Sequence, residues 1–445
     1  MIAGSDIVNI GALTRHNLDT RGRELGAVIE IVAAMSDEAD GGVAPQADPA
    51  QPLLGTCVAV KANIAVAGAH WSAGIGARRD MVANDDAPVV QALRRAGADI
   101  VSTLNMAEAA LGATTNNEFF GIGRNPYNAE RTCGGSSGGS GAVVGAGLVP
   151  IALGTDTMGS VRVPASYCGC VGFKPSNGVV PNGGVVALST LLDCVGPLAS
   201  TVALAVAAMR VISAPSSTGP WSGRSRTAFN WDLPPTLPDR LVVPTEVLSH
   251  DLEPAVDEAF DRVVTFVRKR GVEIIERPLG IDLARLRRLG LLLCEAEGAA
   301  VHVALLTSDP HGFSANVRSM FAFGASKSAS DLASAIQELL AMSGAIGDAL
   351  GDADAFLTPT TPQVAFPVDA SPPADQGDFT AFANVAGLPA ISLPCGVDHD
   401  GMPIGIQLVG HRLADENLAS HGAAFEALLL GERTRRTGSQ RSARK

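Results

Sequence analysis

Two short serine-bearing turns hold most of the chemistry available to this chain of 445 residues. The first reads GGSSGGS over 134–140 and the second TDTMGSVR over 155–162, with a strand-like apolar run from Leu148 to Leu153 between them. Glycine loses more backbone freedom on folding than any other residue, so this density needs a reason. A phosphate cradle would require GxxxxGK[ST], and no lysine follows Gly141. A nucleophile elbow, GxSxG, is present as Gly134-Gly135-Ser136-Ser137-Gly138, but it should follow an apolar strand, and Asn128 to Thr132 makes a poor one. A flexible linker does not fit a segment that returns at once to apolar sequence and a second turn. A catalytic loop built on serine is the better reading.

Serine needs an activating base and donors for an oxyanion. The eight histidines (16, 70, 250, 302, 311, 399, 411 and 421) sit in no motif, and most fall in loops or near helix ends. The other candidate is Lys61, which closes a buried-type strand, Leu53 to Lys61. Lysine is rarely buried without a partner. Either the strand end reaches solvent, or the amine is desolvated, its pKa lowered, and usable as a base. The sequence leaves both open.

The elements that must carry these turns alternate between strand and helix, as in βαβ units. Strands are expected at Asp99–Leu104, Leu241–Pro244, Val272–Ile275, Ala355–Thr358, Pro389–Pro394 and Gly405–Val409. Helices are expected at Pro88–Ala96, Met106–Gly112, Ser200–Ile212, Glu253–Arg270 and Glu416–Leu430. Leu25, Val28, Ile29 and Val32 are spaced for one face of a helix, so residues 1–35 read as one or two helices. Residues 282–350 look like an inserted helical lobe, interrupted at 308–314, while 36–52 and 214–239 read as loops. From Gly431 the chain carries five arginines and one lysine, which reads as a solvated, disordered tail over 431–445.

Bulk properties narrow the classes. A net charge of −12 opposes non-specific nucleic-acid binding, which needs basic surface. The seven scattered cysteines have apolar or glycine-rich neighbours, as expected in a reducing compartment. Cys168-Gly-Cys170 lacks ligand spacing and there is no HExxH, so no metal is expected. The start, MIAGSDIVNIGAL, has no basic n-region, and the best membrane candidate, Leu289 to Leu306, carries Glu295, Glu297 and His302. A cytoplasmic protein without membrane or nucleic-acid partners is expected.

The two turns, 24 residues apart from serine to serine, and a strand-terminal lysine 75 residues before the first serine resemble the amidase signature enzymes. The likeness extends to Asp86-Ala87-Pro88-Val89-Val90, Asn125-Pro126-Tyr127-Asn128, Gly172-Phe173-Lys174-Pro175, Asp193-Cys194-Val195-Gly196-Pro197 and Gly387-Leu388-Pro389-Ala390-Ile391-Ser392-Leu393-Pro394, and so covers most of the chain. The resemblance implies a single α/β/α domain over 1–430, a large mixed β-sheet flanked by helices, with the helical lobe lining the substrate entrance. It implies Ser160 as nucleophile, Ser136 after a cis peptide bond from Gly135 as bridge, and Lys61 as base. The amides of Thr157, Met158, Gly159 and Ser160 would form the oxyanion hole. Ser137, Asp156 and Arg162 would hold the loops together. Two positions depart from the pattern: Ala62 stands where the family commonly has Asp, and Met158 where it has glycine, so that Met158 is expected to project into and narrow the acyl pocket. Asn116 to Phe120 and the lobe are expected to supply pocket residues.

The expected activity is hydrolysis of the C–N bond of a small carboxylic amide through an acyl-enzyme, with no cofactor. The alternatives are the glutaminase component of a tRNA-dependent amidotransferase and a hydrolase of ureido compounds such as biuret or allophanate. The amidotransferase components tend to read Ile-Arg-Gln-Pro where this chain has Val161-Arg162-Val163-Pro164. Allophanate hydrolases, by the same resemblance, use a tyrosine from the lobe, and the only tyrosines here, Tyr127 and Tyr167, lie upstream of it. The partner expected is a small amide; a homodimer stays open.

Overall fold

The computed structural model describes the backbone of residues 4–34, 51–213 and 228–442, with side chains from 10 to 431 within those ranges. Helix α1 (Gly4–Asn17) runs through a π turn, Leu18–Gly22, into strand β1 (Val28–Ile31). Then come β2 (Cys57–Lys61), α2 (Pro88–Arg95) and β3 (Asp99–Leu104), and a two-stranded ribbon, β4 (Asn116–Asn117) and β5 (Gly121–Ile122). The serine turns are carried by α3 (Gly138–Gly145), β6 (Ile151–Asp156) and α4 (Arg162–Cys168). Next are β7 (Val171–Lys174), β8 (Cys194–Ala199), α5 (Val202–Ile212), β9 (Arg240–Pro244), α6 (Thr245–Leu248), α7 (Pro254–Arg268) and β10 (Glu273–Arg277). The lobe is α8 (Leu283–Ser308), α9 (Ala315–Ala325) and α10 (Ala329–Leu350). The chain closes through β11 (Ala355–Pro359), α11 (Asp378–Val385), β12 (Ala390–Val397), β13 (Pro403–Gly410) and α12 (Asp415–Ser442).

Eleven strands form one mixed sheet in the order β1-β3-β2-β6-β8-β7-β12-β13-β11-β9-β10. β2 is parallel to both β3 and β6, and β9 is parallel to both β10 and β11. The other pairings are antiparallel, so the parallel βαβ units read from the alternation account for only part of the sheet. The central strands are buried along their whole length, as a sheet covered on both faces requires.

Three local expectations are corrected. The apolar spacing around Leu25–Val32 belongs to a strand, not a helix. Gly26, at φ +60°, ends the helical path, and β1 then pairs antiparallel with β3, Val28 opposite Leu104. Met106–Gly112 is not a regular helix: only Glu108–Ala110 form a 3₁₀ turn, and Ala109 and Ala110 both have positive φ, 54° and 58°. Helix α12 continues past Leu430 to Ser442. The side chains of the basic tail from 432, and its backbone from 443, lie outside the described residues, as do 35–50 and 214–227 of the expected loops.

The lobe helix α8 is the one described helix long and apolar enough to cross a membrane. Its Glu295 and His302 are buried, and Glu297 accepts hydrogen bonds from Ser189 and Thr190. Its apolar length is used in packing against α9, α10 and α11.

Candidate functional site

Register places the site. β2 and β6 run parallel with Val60 beside Leu153, so their carboxyl ends set Lys61 next to Thr155. Clefts at the carboxyl ends of parallel strands are the usual home of α/β sites. The antiparallel pair β6–β8, with Asp156 opposite Cys194, brings Asp193 up to Thr157.

Lys61 is fully buried. Its Nζ lies 2.8 Å from Ser136 Oγ and 2.8 Å from Thr155 Oγ1, with the Thr155 carbonyl at 3.5 Å. Burial lowers its pKa to about 7, against the pull of the Asp193 and Asp156 carboxylates. The alternative that the strand end reaches solvent is thereby removed. Asn63 Nδ2 donates to the same Thr155 hydroxyl at 3.1 Å.

The bond between Gly135 and Ser136 is cis. A Cβ on Gly135 would lie 2.7 Å from three backbone atoms of Thr114, so only glycine fits this turn. Ser137 leads straight into α3, buried from Gly138 to Val144. The Ser137 hydroxyl donates to the Thr155 carbonyl at 3.1 Å, and its amide donates to the Ser160 carbonyl at 3.2 Å. The two turns are thus stitched together, although among the described residues no hydrogen bond joins Ser136 Oγ to Ser160 Oγ.

The second turn is organised by Asp156, wholly buried with Arg162. Asp156 accepts from the amides of Gly159 (2.7 Å) and Val161 (3.1 Å), from Arg162 Nε (3.0 Å) and Nη2 (2.9 Å), and from Asn384 Nδ2 (2.9 Å). Burial alone would raise this carboxyl; the Arg162 guanidinium and these donors hold it well below the usual carboxylate range. Gly159 has φ +130°, and a side chain there would strike Thr380. The amide of Gly159, one of the expected oxyanion donors, therefore faces Asp156.

Sequence reasoning does not single out Asp193 as a functional residue. It accepts from Thr157 Oγ1 at 2.6 Å and from the amides of Leu188 (2.9 Å) and Ser189 (3.2 Å), and burial raises its carboxyl to about 6. It joins the Ser160-bearing turn to the 188–193 loop. Its only sequence signal is its place in the Asp193–Pro197 segment.

Ser160 and the residues 157–159 open into a cavity of about 380 Å³. Of the expected wall, Asn116 and Glu118 line it together with Arg287, Leu291, Cys294, Val317 and Met320 of the lobe. The segments 107–114 and 372–377 also line it, and no motif marks them. The histidines lie elsewhere: His302, for example, is buried in the lobe against Phe313 and Phe321, and burial drops its pKa to about 4. Among the described residues none bonds Ser136, Ser137 or Ser160. A lysine that can be neutral, a hydroxyl on its amine and a second serine at the cavity wall can together activate an oxygen nucleophile and return its proton.

The profile of the Amidase family matches residues 26–419. The A-type component of the glutamyl-tRNA(Gln) amidotransferase of Symbiobacterium thermophilum is 34% identical over 407 residues, covering 84% of this chain and 83% of its own. The crystal structure of the same component from Thermotoga maritima superposes with a TM-score of 0.82 at 30% identity, over 95% of this chain and 92% of its own. A crystal structure described as an amidase superposes at 0.81 with 28% identity, over 94% and 95%. With its large mixed sheet of eleven strands flanked by helices, this chain belongs to the amidase family, hydrolases of carbon–nitrogen bonds.

Proposed function

We propose that the protein hydrolyses the C–N bond of a small carboxylic amide, with Ser160 as nucleophile, Ser136 as proton bridge and Lys61 as base. The observation that carries this reading is the fully buried Lys61 amine, 2.8 Å from Ser136 Oγ and with a pKa near 7. Neutral Lys61 takes the Ser136 proton, Ser136 takes that of Ser160, and Ser160 Oγ adds to the amide carbon. The tetrahedral oxyanion is met by the amides of Thr157, Met158 and Ser160; Gly159 N–H, bound to Asp156, shapes the turn and reaches the oxyanion only on release from it. Collapse breaks the C–N bond, and the proton held on Lys61 returns through Ser136 to the departing amine. Water, deprotonated along the same path, then cleaves the acyl ester. The reading requires Ser160 Oγ to close onto Ser136 Oγ as the amide docks, a tightening common in catalytic hydrogen bonds.

A second reading, the glutamine-hydrolysing component of an amidotransferase, is favoured by the names of the relatives at 31–34% identity. It would make further protein components part of the active assembly. Glutamine brings an α-carboxylate into the cavity, however, and the lobe's Arg287 is already paired with Asp378. Ammonia release from a panel of aliphatic amides, benzamide, indoleacetamide, glutamine and biuret separates the two. Turnover of non-amino-acid amides by the lone chain, abolished in Ser160→Ala and Lys61→Ala, supports the first reading. Turnover of glutamine alone, increased by a copurifying partner, supports the second.

A further inference from the structure

Part of the cavity wall is apolar. Met158, Leu188, Leu291, Cys294, Val317 and Met320 face it. Of the charged side chains that line it, the one cation, Arg287, pairs with Asp378, Glu108 accepts the Ser314 amide at 3.0 Å, and Glu118 is exposed. A substrate carboxylate buried here would meet no unpaired cation, which is costly. An uncharged, apolar end would be taken from water at a gain.

One contact fixes how much room that end has. Met158 projects from the Ser160-bearing turn onto α8 at Gly290, one of the two glycines of that helix. A Cβ built on Gly290 would lie 2.8 Å from Met158 Cε and 3.1 Å from Sδ. The tip of Met158 therefore rests in a notch one residue wide. Methionine is unbranched, with several rotatable bonds, and moves easily when pushed. The empty volume beside it is the cavity itself.

We propose that Met158, seated in the Gly290 notch, is the specificity-determining residue of this site, setting the length limit for substrates that are uncharged amides with an apolar acyl group. The inference rests on the reading of Ser160 as acyl acceptor. A methyl group at 290 displaces the thioether into the chamber and shortens it. Removing the thioether lengthens it. Alanine is also the better helix former, so Gly290→Ala is compatible with an intact α8.

The test compares wild type, Met158→Ala, Gly290→Ala and the double variant, by kcat/KM on acetamide, butyramide, hexanamide and phenylacetamide, with glutamine as the charged comparator. A methylene in an apolar pocket discriminates by roughly 10–200-fold. The long-to-short ratio should rise about tenfold in Met158→Ala and fall about tenfold in Gly290→Ala. In the double variant it should return to the Met158→Ala value, because the added methyl then meets nothing. That non-additivity is what a merely structural role would not produce. Unchanged ratios in both single variants, additive effects in the double variant, or glutamine preferred over every apolar amide would overturn the proposal. The same acyl series titrated calorimetrically into Ser160→Ala reads the length limit without turnover. Binding that follows acyl length in those four backgrounds while Lys61→Ala still hydrolyses amides would sink the Lys61 base and leave this inference standing. Binding indifferent to acyl length would overturn the inference alone.

Discussion

Lys61 and Lys174 end two strands of the same sheet, β2 and β7, and both are fully buried. Burial lowers the pKa of each. Their partners differ. Lys174 Nζ donates to the Pro175 carbonyl (2.8 Å), the Leu388 carbonyl (2.8 Å) and Asn177 Oδ1 (3.2 Å), three acceptors with no proton to give. An ammonium satisfies all three with its three donors, whereas a neutral amine falls one short. Lys61 meets two hydroxyls, Ser136 Oγ and Thr155 Oγ1, each able to donate as well as accept. A neutral amine fits there, with its lone pair toward one hydroxyl. Desolvation is common to both sites; the chemistry of the partners decides which amine can serve as a base and which is a cross-link.

The largest effect that separates the two belongs to activity. Lys61→Met should lower kcat/KM by about 10²–10⁴-fold, the usual contribution of a positioned base. Stability should respond in the opposite sense. The folded pKa near 7 lies below the unfolded value of about 10.4, so between these values the unfolded chain binds the extra proton and wild-type stability rises with pH. The slope due to Lys61 is about 1.4 kcal/mol per pH unit and should be absent from Lys61→Met in chemical denaturation at pH 7.5 and 9.5. An active Lys61→Met would end the contrast.

Lys174→Met should act on stability alone. It leaves the Pro175 and Leu388 carbonyls without this donor, at about 1–3 kcal/mol each when unsatisfied, while Asn177 Oδ1 keeps its bond from Cys194 Sγ. Denaturant midpoints should fall accordingly, while kcat per folded molecule stays within about twofold, the margin expected of a residue outside the reacting groups. Loss of kcat at normal stability would instead place Lys174 in the chemistry.

The same two lysines show what a sequence makes legible. Lys61, Ser136 and Ser160 stand out because each lies at a strand end or in a turn whose composition is unusual over seven or eight consecutive residues. The mixed sheet and the helical lobe follow from the family likeness and from apolar periodicity. Thr155 and Asp193 do not stand out as partners of Lys61 and Thr157, because they reach them through the β2–β6 and β6–β8 register, which no local pattern encodes. The cavity wall is legible at Met158, in the Asn116–Phe120 segment and in the lobe. Segments 107–114 and 372–377 reach it through folded loops, and the positive φ of Ala109 and Ala110 has no alanine signature. At β1 the sequence misleads, because Leu25, Val28, Ile29 and Val32 have helical spacing although Gly26 breaks the path after Leu25 and Val28 and Ile29 lie in a strand.

Asp193 sharpens the contrast at Lys61 through pH. Its charge favours the protonated lysine, so Asp193→Asn should lower the Lys61 pKa further. The acid limb of kcat/KM, expected near pH 7, should move to lower pH by roughly one unit, the low end of the effect of a nearby opposite charge. A shift to higher pH would show that Asp193 does not act on Lys61 electrostatically.

The smallest effect tests the hydroxyl argument itself. Thr155 Oγ1 receives both Lys61 Nζ and Asn63 Nδ2, at 2.8 and 3.1 Å, and so fixes the orientation of the amine. Thr155→Val keeps the branched shape but removes the oxygen, leaving one N–H of Lys61 and one of Asn63 without this acceptor. A net hydrogen bond of about 1 kcal/mol corresponds to roughly a fivefold loss of kcat, with KM unchanged because the substrate does not touch this group. Thr155→Ser retains the oxygen and should recover most of that loss. If Val and Ser behave alike, hydroxyl partners are not what distinguishes Lys61 from Lys174, and the difference must instead lie in the Asp193 and Asp156 charges around Lys61.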